Sequence, residues 1–475
     1  MSKRLMALFN SLKEEDVTAC RKLIVSPIYI TEDKANRLLP LFDALIKNKQ
    51  RSIENETLFS VAYPKEIFDE KAFSYLKSDL TDLLEEYLIF KEFRQDGLQK
   101  NLYLLKALRK NKVEVNFESY YKNVLKKNEK QALRNEDYHF FLAKLNHEFY
   151  RNHVLTERTI PDEAKKATDQ FNHYSLAQSL RTLCIEAANA QALNVAENQL
   201  YEKRKGYILK SAQTLEDNEN APIVIRLYLT CYKMVETQSI EAYQAFETVL
   251  KANLATLSSV ELCDLLILMT SFCSKKINTG DRSFLQKSLD WYELGLEKKV
   301  FIEEGTFSIF FFKNIVTAAV GLKKYNWAIQ FIETYHLQLY STQQENLKNY
   351  TLAIVYFNQG QNDKVYYEKA MVLLSSVELD DVFHLLDIRR MLVRCYYELQ
   401  EWNALESLIK SFRKYLNRHK NDLNYQYQNY SNFITFVERL QVIRESDKPK
   451  RFALRTQLDE SPQVAERAWL ESKMV

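Results

Sequence analysis

The sequence predicts an all-α protein, with an N-terminal helical domain followed by α-α hairpins stacked in a repeat solenoid. Three observations carry that prediction. The 475 residues include only 7 Gly and 7 Pro, against average usage of about 7% and 5%, so the turn residues that sheets and βαβ units need are missing. No proline occurs from Ile223 to Lys448, which leaves a long stretch where nothing need interrupt a helix. Finally, GLKKYNWAIQFIETY (Gly321 to Tyr335) and ELQEWNALESLIKSF (Glu398 to Phe412) nearly coincide, 77 residues apart. Aligned, they pair Leu322 with Leu399, Tyr325 with Trp402, Ala328 with Leu405, Ile332 with Ile409 and Tyr335 with Phe412. A repeated shape explains this better than a repeated chemistry.

Composition excludes several function classes. The 66 basic and 63 acidic residues leave a net charge of +3, too small for a global field that would draw nucleic acid or membrane. The 29 Tyr and 27 Phe fall at helical spacing, as expected of rings filling the layers between helices. None of the six cysteines (20, 184, 231, 263, 273 and 395) forms a C-x-x-C pair, so they read as packed thiols in a reducing compartment. MSKRLMALFNSLKEED turns charged after a few apolar residues, unlike a secretory signal. No apolar run approaches the ~20 residues of a membrane span. The expectation is a soluble, cytoplasmic chain.

In order, residues 1–98 read as the N-terminal helical domain. Ser11 and Glu14 form an S-x-x-E capping box that would open a helix to about Val25. Thr31 is the expected N-cap of the next helix, which Pro40 should kink or end. Phe73, Leu76, Leu80, Leu83, Leu84, Tyr87 and Leu88 then mark one long amphipathic helix. Residues 99–170 read as a basic helical connector. From Lys100 to Arg134, ten Lys or Arg face three Glu, interleaved with Tyr103, Phe117, Tyr120 and Tyr121.

Residues 171–442 read as the repeat solenoid, interrupted only by short turns such as DNENAP and the INTGDRS turn around Gly280. Residues 443–475 read as a tail: RESDKPKRFALRTQLDE breaks the stack, and SPQVAERAWLESKMV restarts a helix with Ser461 as N-cap and Pro462 first. Trp469 should dock that helix, as a cap on the last repeat in preference to a site for a partner.

A search for chemistry returns nothing to build on. No Gly precedes Lys-Ser or Lys-Thr, no G-x-G-x-x-G can be written, and no G-x-S-x-G elbow exists. His147 and His153 lie six residues apart, about 240° around a helix, so with Glu148 they cannot close on an ion as H-E-x-x-H does. His139 and His147 are about 80° out of line. The pairs Glu85-Glu86 and Asp380-Asp381 read as solvated faces or caps. No enzyme, metal or cofactor is expected.

AIVYFNQGQNDKVYYEKAMVLL (Ala353 to Leu374) supplies a third copy, at steps of about 37 and 40 residues. Each copy is an apolar helix, a polar turn and an amphipathic helix, too short to hide its apolar face alone. These units resemble the tetratricopeptide repeat. LAIVYFNQGQND keeps Leu352, Ala353, Tyr356, Phe357 and Gly360; CYYELQEWNAL keeps Tyr396, Tyr397 and Trp402; VGLKKYNWAI keeps Tyr325 and Ala328. Gln400 and Lys323 stand where the family has its turn glycine, and no proline closes a unit. The resemblance is clearest over residues 305–440 and looser over 226–250 and 262–296. The whole chain also resembles uncharacterised bacterial helical-repeat proteins, a likeness that implies no activity.

The resemblance implies a protein-protein interaction scaffold whose first helices line a concave groove for a peptide or partner helix. Carried over position by position, the groove residues are Lys313 and Asn314, then Tyr350 and Asn358, then Arg390, Arg394 and Tyr397. The last three share one helical face, and a cationic, aromatic groove suits an acidic segment. The competing account of these arginines is plain solubility of a helix face. The rival function is binding of RNA or single strands by residues 100–134. Against it, the neighbouring helix over 72–93 carries Asp79, Asp82, Glu85, Glu86 and Glu92 on its polar face, which would repel phosphate.

Overall fold

The structure, a computed structural model, describes residues 3–48, 53–155, 157–193, 199–217, 221–303, 305–339, 344–379, 381–423, 425–443 and 446–474. Asp380, residues 218–220 of the expected DNENAP turn, and residues 194–198 lie outside them. Among the described residues the fold is all-α: helices follow one another from Lys3 to Lys473, and the only paired strands are Ile302–Glu303 and Thr306–Phe307. Gly305 (φ +82°) allows the tight reversal between them. The chain divides into two compact units, residues 1–132 with 136–175, and residues 133–135 with 176–475.

In the first unit, helices Lys3–Ser11, Glu14–Ile24 and Glu32–Lys47 pack on the long helix Glu70–Gln95. Phe9, Phe42, Phe59, Phe73, Leu80 and Leu84 fill the space between them. The Asp69 side chain caps the long helix by accepting from the Lys71 and Ala72 N–H groups. The expected Ser11 box does not form. Ser11 ends a helix and donates to the Leu8 carbonyl (2.7 Å), while Asp16 accepts from Lys13 N–H (3.0 Å) at the next start. Pro40 does not end its helix, because Leu38, Leu41 and Phe42 on either side are buried and packing outweighs one lost hydrogen bond.

A second apolar cluster in this unit joins helices Gly97–Lys110, Glu114–Glu129 and Glu136–His153 through Leu105, Phe117, Tyr121 and Leu145. The basic stretch is therefore amphipathic in an ordinary way. Phe117 and Tyr121 are buried, whereas Lys106, Lys122, Lys126 and Lys127 are exposed.

In the second unit, five helix pairs run in order: Ile223–Thr237 with Ile240–Ala252, Ser259–Asn278 with Phe284–Glu297, Ile309–Gly321 with Tyr325–Tyr335, Gln344–Gln359 with Val365–Ser376, and Val382–Glu398 with Trp402–Arg418. From the third pair to the fifth, each first helix also packs on the first helix of the next pair. One apolar cluster runs from Ala177 to Cys395. Aromatic rings stitch it, as in Tyr243–Phe272–Phe284 and Phe307–Phe312–Phe331. All six cysteines are described; five are buried and none is in a disulfide.

The two near-identical phrases form the same turn. In one, Lys323 N–H donates to the Val320 carbonyl (2.8 Å) and Lys324 N–H to Ala319 (2.9 Å); in the other, Gln400 donates to Tyr397 (3.2 Å) and Glu401 to Tyr396 (2.8 Å). This is a Schellman cap, which requires a left-handed residue. Lys323 (φ 59°) and Gln400 (φ 63°) take that conformation without glycine's freedom. The same bonding closes helices at Lys112 (φ 56°), Gly280 (φ 103°) and Lys299 (φ 57°). Beyond the turn, Ala328, Leu405, Ile332 and Ile409 are buried as expected. Trp402, aligned with the half-buried Tyr325, is 39% exposed and meets Tyr397 edge to face.

The tail departs from expectation in two places. Residues 448–459 form a helix, capped by Asp447 accepting from Lys450 N–H, where a break was expected. The final helix is shorter, Arg467–Lys473, and starts after Glu466 in a left-handed conformation (φ 56°). Ser461 donates to the Gln457 carbonyl and caps nothing that follows. Trp469 and Leu470 are buried with Phe412, Phe433 and Val437, closing the last helices of this unit.

Candidate functional site

Five of the seven residues proposed from the repeat pattern converge in space, four of them on two carboxylates and Tyr397 on the Trp469 ring beside them. Asp387, on helix Val382–Glu398, accepts from the Tyr350 hydroxyl (2.6 Å) and from Arg390 Nε and Nη2 (2.9 and 2.6 Å), with Lys313 Nζ at 3.5 Å. Glu466, just before the final helix, accepts from Arg390 Nη1 through one oxygen and from Arg394 Nη1 through the other (2.6 Å). Arg394 lies over the Phe357 ring (4.6 Å) and the Trp469 ring (5.3 Å). Tyr397 meets Trp469 edge-on at 5.2 Å. Lys313 lies over the Tyr350 ring at 5.3 Å.

Asn314 and Asn358 take no part. Asn314 is exposed, and the Asn358 amide donates to the Ile354 carbonyl of its own helix (2.8 Å).

Charge explains why these groups tolerate burial. Burial by itself opposes ionisation of Asp387, but Arg390, Lys313 and the Tyr350 hydroxyl outweigh it and hold the carboxyl well below the usual range. Burial likewise opposes a charged Glu466, and Arg390 and Arg394 reverse the balance. Both carboxyls are therefore ionised at neutral pH. Burial, then the charge of Lys313, depresses His384, so that ring is neutral. Three cations meet two carboxylates, an arrangement suited to holding an acidic group.

The helix faces are legible in the sequence; the partners are only half so. Asp387 and Arg390 stand three apart on one helix, a spacing that brings side chains together, and could have been paired by inspection. Glu466 lies 76 positions from Arg390, and no local pattern announces it. Glu398 was also missed: it accepts from Trp469 Nε1 (2.7 Å) and Lys473 Nζ (2.9 Å), fixing the final helix.

Beside this cluster opens a cavity of about 780 Å³, lined among others by Asn358, Tyr367, Arg394, Glu466 and Trp469. Elsewhere, among the described residues, no group of three or more His, Cys, Asp or Glu is placed to hold a metal ion, and no helix is long and apolar enough to cross a membrane. His139 bonds Gln170 (2.7 Å), and His153 faces Thr159 and Glu157.

The class defined by fold and site is an all-α protein of consecutive helix pairs with a charged, aromatic cluster on its first helices. Comparisons with protein-family models, curated proteins and solved structures return no match.

Proposed function

We propose that the chain is a non-enzymatic interaction scaffold, a divergent tetratricopeptide-like solenoid whose first-helix face receives an acidic segment of another protein. The observation that supports it most is the seating of Glu466. The first helices of successive pairs supply Tyr350, Asp387, Arg390 and Arg394, and a carboxylate from a segment far along the chain is held there between guanidinium groups and rings. Arginine forks of this kind select planar carboxylates. The successive helix pairs and the shared turn support the repeat reading.

The test is affinity purification with quantitative mass spectrometry from the source cells. Wild type is compared with an Asn314→Glu, Asn358→Glu variant, since these two first-helix residues do not hold the cluster together and an added carboxylate there should repel an acidic segment. Expected is a protein recovered by wild type and lost about tenfold or more from the variant, at unchanged helicity. No protein recovered above background, or none affected, overturns the reading. Salt-sensitive binding of a labelled RNA, abolished by reversing Lys122, Lys126 and Lys127, would replace it with the nucleic-acid alternative.

A further inference from the structure

We propose that the cavity of about 780 Å³ beside the arginine cluster is the docking site for that acidic segment, with Arg282, Lys323 and Lys364 as its recognition cations. The inference rests on the scaffold reading and says where on the scaffold the partner binds. The cavity runs along the turns of consecutive helix pairs: Arg282 follows the Gly280 turn, Lys323 is the left-handed residue of the next, and Lys364 ends the third. Its far wall is the final helix, through Trp469 and Lys473.

The charges that line it do not balance. Three carboxylates face it, and each is committed to the fold. Glu466 is held by Arg390 and Arg394, Glu398 by Trp469 and Lys473, and Asp363 accepts from Val365 N–H at a helix start. Five cations face it, and among the described residues only Arg394 and Lys473 of these meet carboxylates. Among the described residues, Arg282 and Lys323 have no carboxylate partner, and Lys364 donates only to the Glu398 backbone carbonyl (2.9 Å). Arg394 adds a second signal. Its side chain is 7% exposed, yet its Nε makes no hydrogen bond among the described residues, a state that burial normally forbids. An anionic ligand in the cavity would answer both imbalances. The volume falls within the range of ligand sites, and three cations on successive turns suit a chain bearing several carboxylates better than one small ion.

Lys323 allows charge to be separated from shape. Glycine would fit its left-handed backbone better, so Lys323→Gly removes a recognition cation while relaxing the turn. The experiment titrates a fluorescein-labelled oligoglutamate peptide with the full-length chain at low and moderate salt. Expected is binding that weakens about tenfold or more in an Arg282→Ser, Lys323→Ser, Lys364→Ser variant, and less than about twofold when Lys122, Lys126 and Lys127 are changed to Ser instead. Lys323→Gly should melt at a higher temperature and bind more weakly.

No binding, equal loss in both triple variants, or displacement by inorganic phosphate as effective as by unlabelled peptide overturns the cavity as a peptide site. If the purification still recovers a partner that is lost from Asn314→Glu alone, a position that does not line the cavity, the scaffold reading stands and only its placement in the cavity falls.

Discussion

In helices Gly97–Lys110 and Glu114–Glu129 the rings Phe117 and Tyr121 are buried while Lys122, Lys126 and Lys127 stand in solvent. In helix Val382–Glu398, Arg390 and Arg394 are drawn in among Phe357, Tyr350 and Trp469. Both stretches mix cations with aromatic residues and read alike as sequence. The difference is the carboxylate supply. The first leaves its lysines its own three Glu, of which Glu118 pairs with Lys122 in the open, while Arg109, largely buried, meets Glu148 of the next helix. The second has Asp387 one turn away and Glu466 delivered by the tail. A cation enters a core when its counter-charge enters with it, and otherwise stays in water.

The sharpest way to break this comparison is to remove one carboxylate from each region. Glu466→Gln leaves Arg394 buried without an anion and should cost about 3 kcal/mol in urea unfolding. Glu118→Gln removes a surface partner and should cost less than about 0.5 kcal/mol. Equal costs would mean that the buried cluster is not held by charge.

Acid probes a further buried carboxylate, in the first unit. Asp16 is opposed by burial, but Lys91 Nζ (2.7 Å), the Tyr87 hydroxyl (2.6 Å) and Lys13 N–H bring its pKa down to about 2. A depressed carboxyl contributes stability that is present in full above its unfolded value, near 4, and lost as pH falls toward 2. The contribution is about 2 kcal/mol. Asp16→Asn should lose it at neutral pH and flatten the dependence across that window. Asp387 and Glu466 are depressed in the same direction, so Glu466→Gln should flatten the acid limb too, whereas Glu118→Gln should leave it nearly unchanged.

Smaller effects are expected where the two regions agree. Lys112, which closes the basic helix, and Gln400, which closes the arginine helix, occupy the same left-handed position of the same cap. Replacing either with glycine should stabilise by about 1 kcal/mol, read from the unfolding midpoint. The smallest effect is expected from changing Lys126 and Lys127 to Ser, within about 0.5 kcal/mol, because nothing buried depends on them.

Much of the architecture was written locally. The scarcity of Gly and Pro foretold helices, and the paired phrases foretold a turn used twice, down to Leu322 with Leu399 and Lys323 with Gln400. The misses share one physical cause. Pro40 passes through a helix because buried neighbours hold it, and Ser11 yields its capping role to Asp16. Residues 448–459 fold as a helix where the local polarity suggested a break. In each case contacts outside the local window outweighed a local preference, about 1 kcal/mol for a cap and about 3 kcal/mol for the proline. Of the candidate site, the cationic face was legible because Arg390, Arg394 and Tyr397 recur at helical spacing, and Asp387 was within reach of the same argument.

The sequence by itself determined that this chain is helical, where the turns of its paired phrases fall, and which faces of its helices are apolar, since those properties follow from backbone preference and periodicity over a few residues. Only the tertiary structure decided which charges are buried and which remain in water. That choice depends on Glu466 and Glu398 meeting groups about seventy positions away, and the energy of a charge is set by what surrounds it in space.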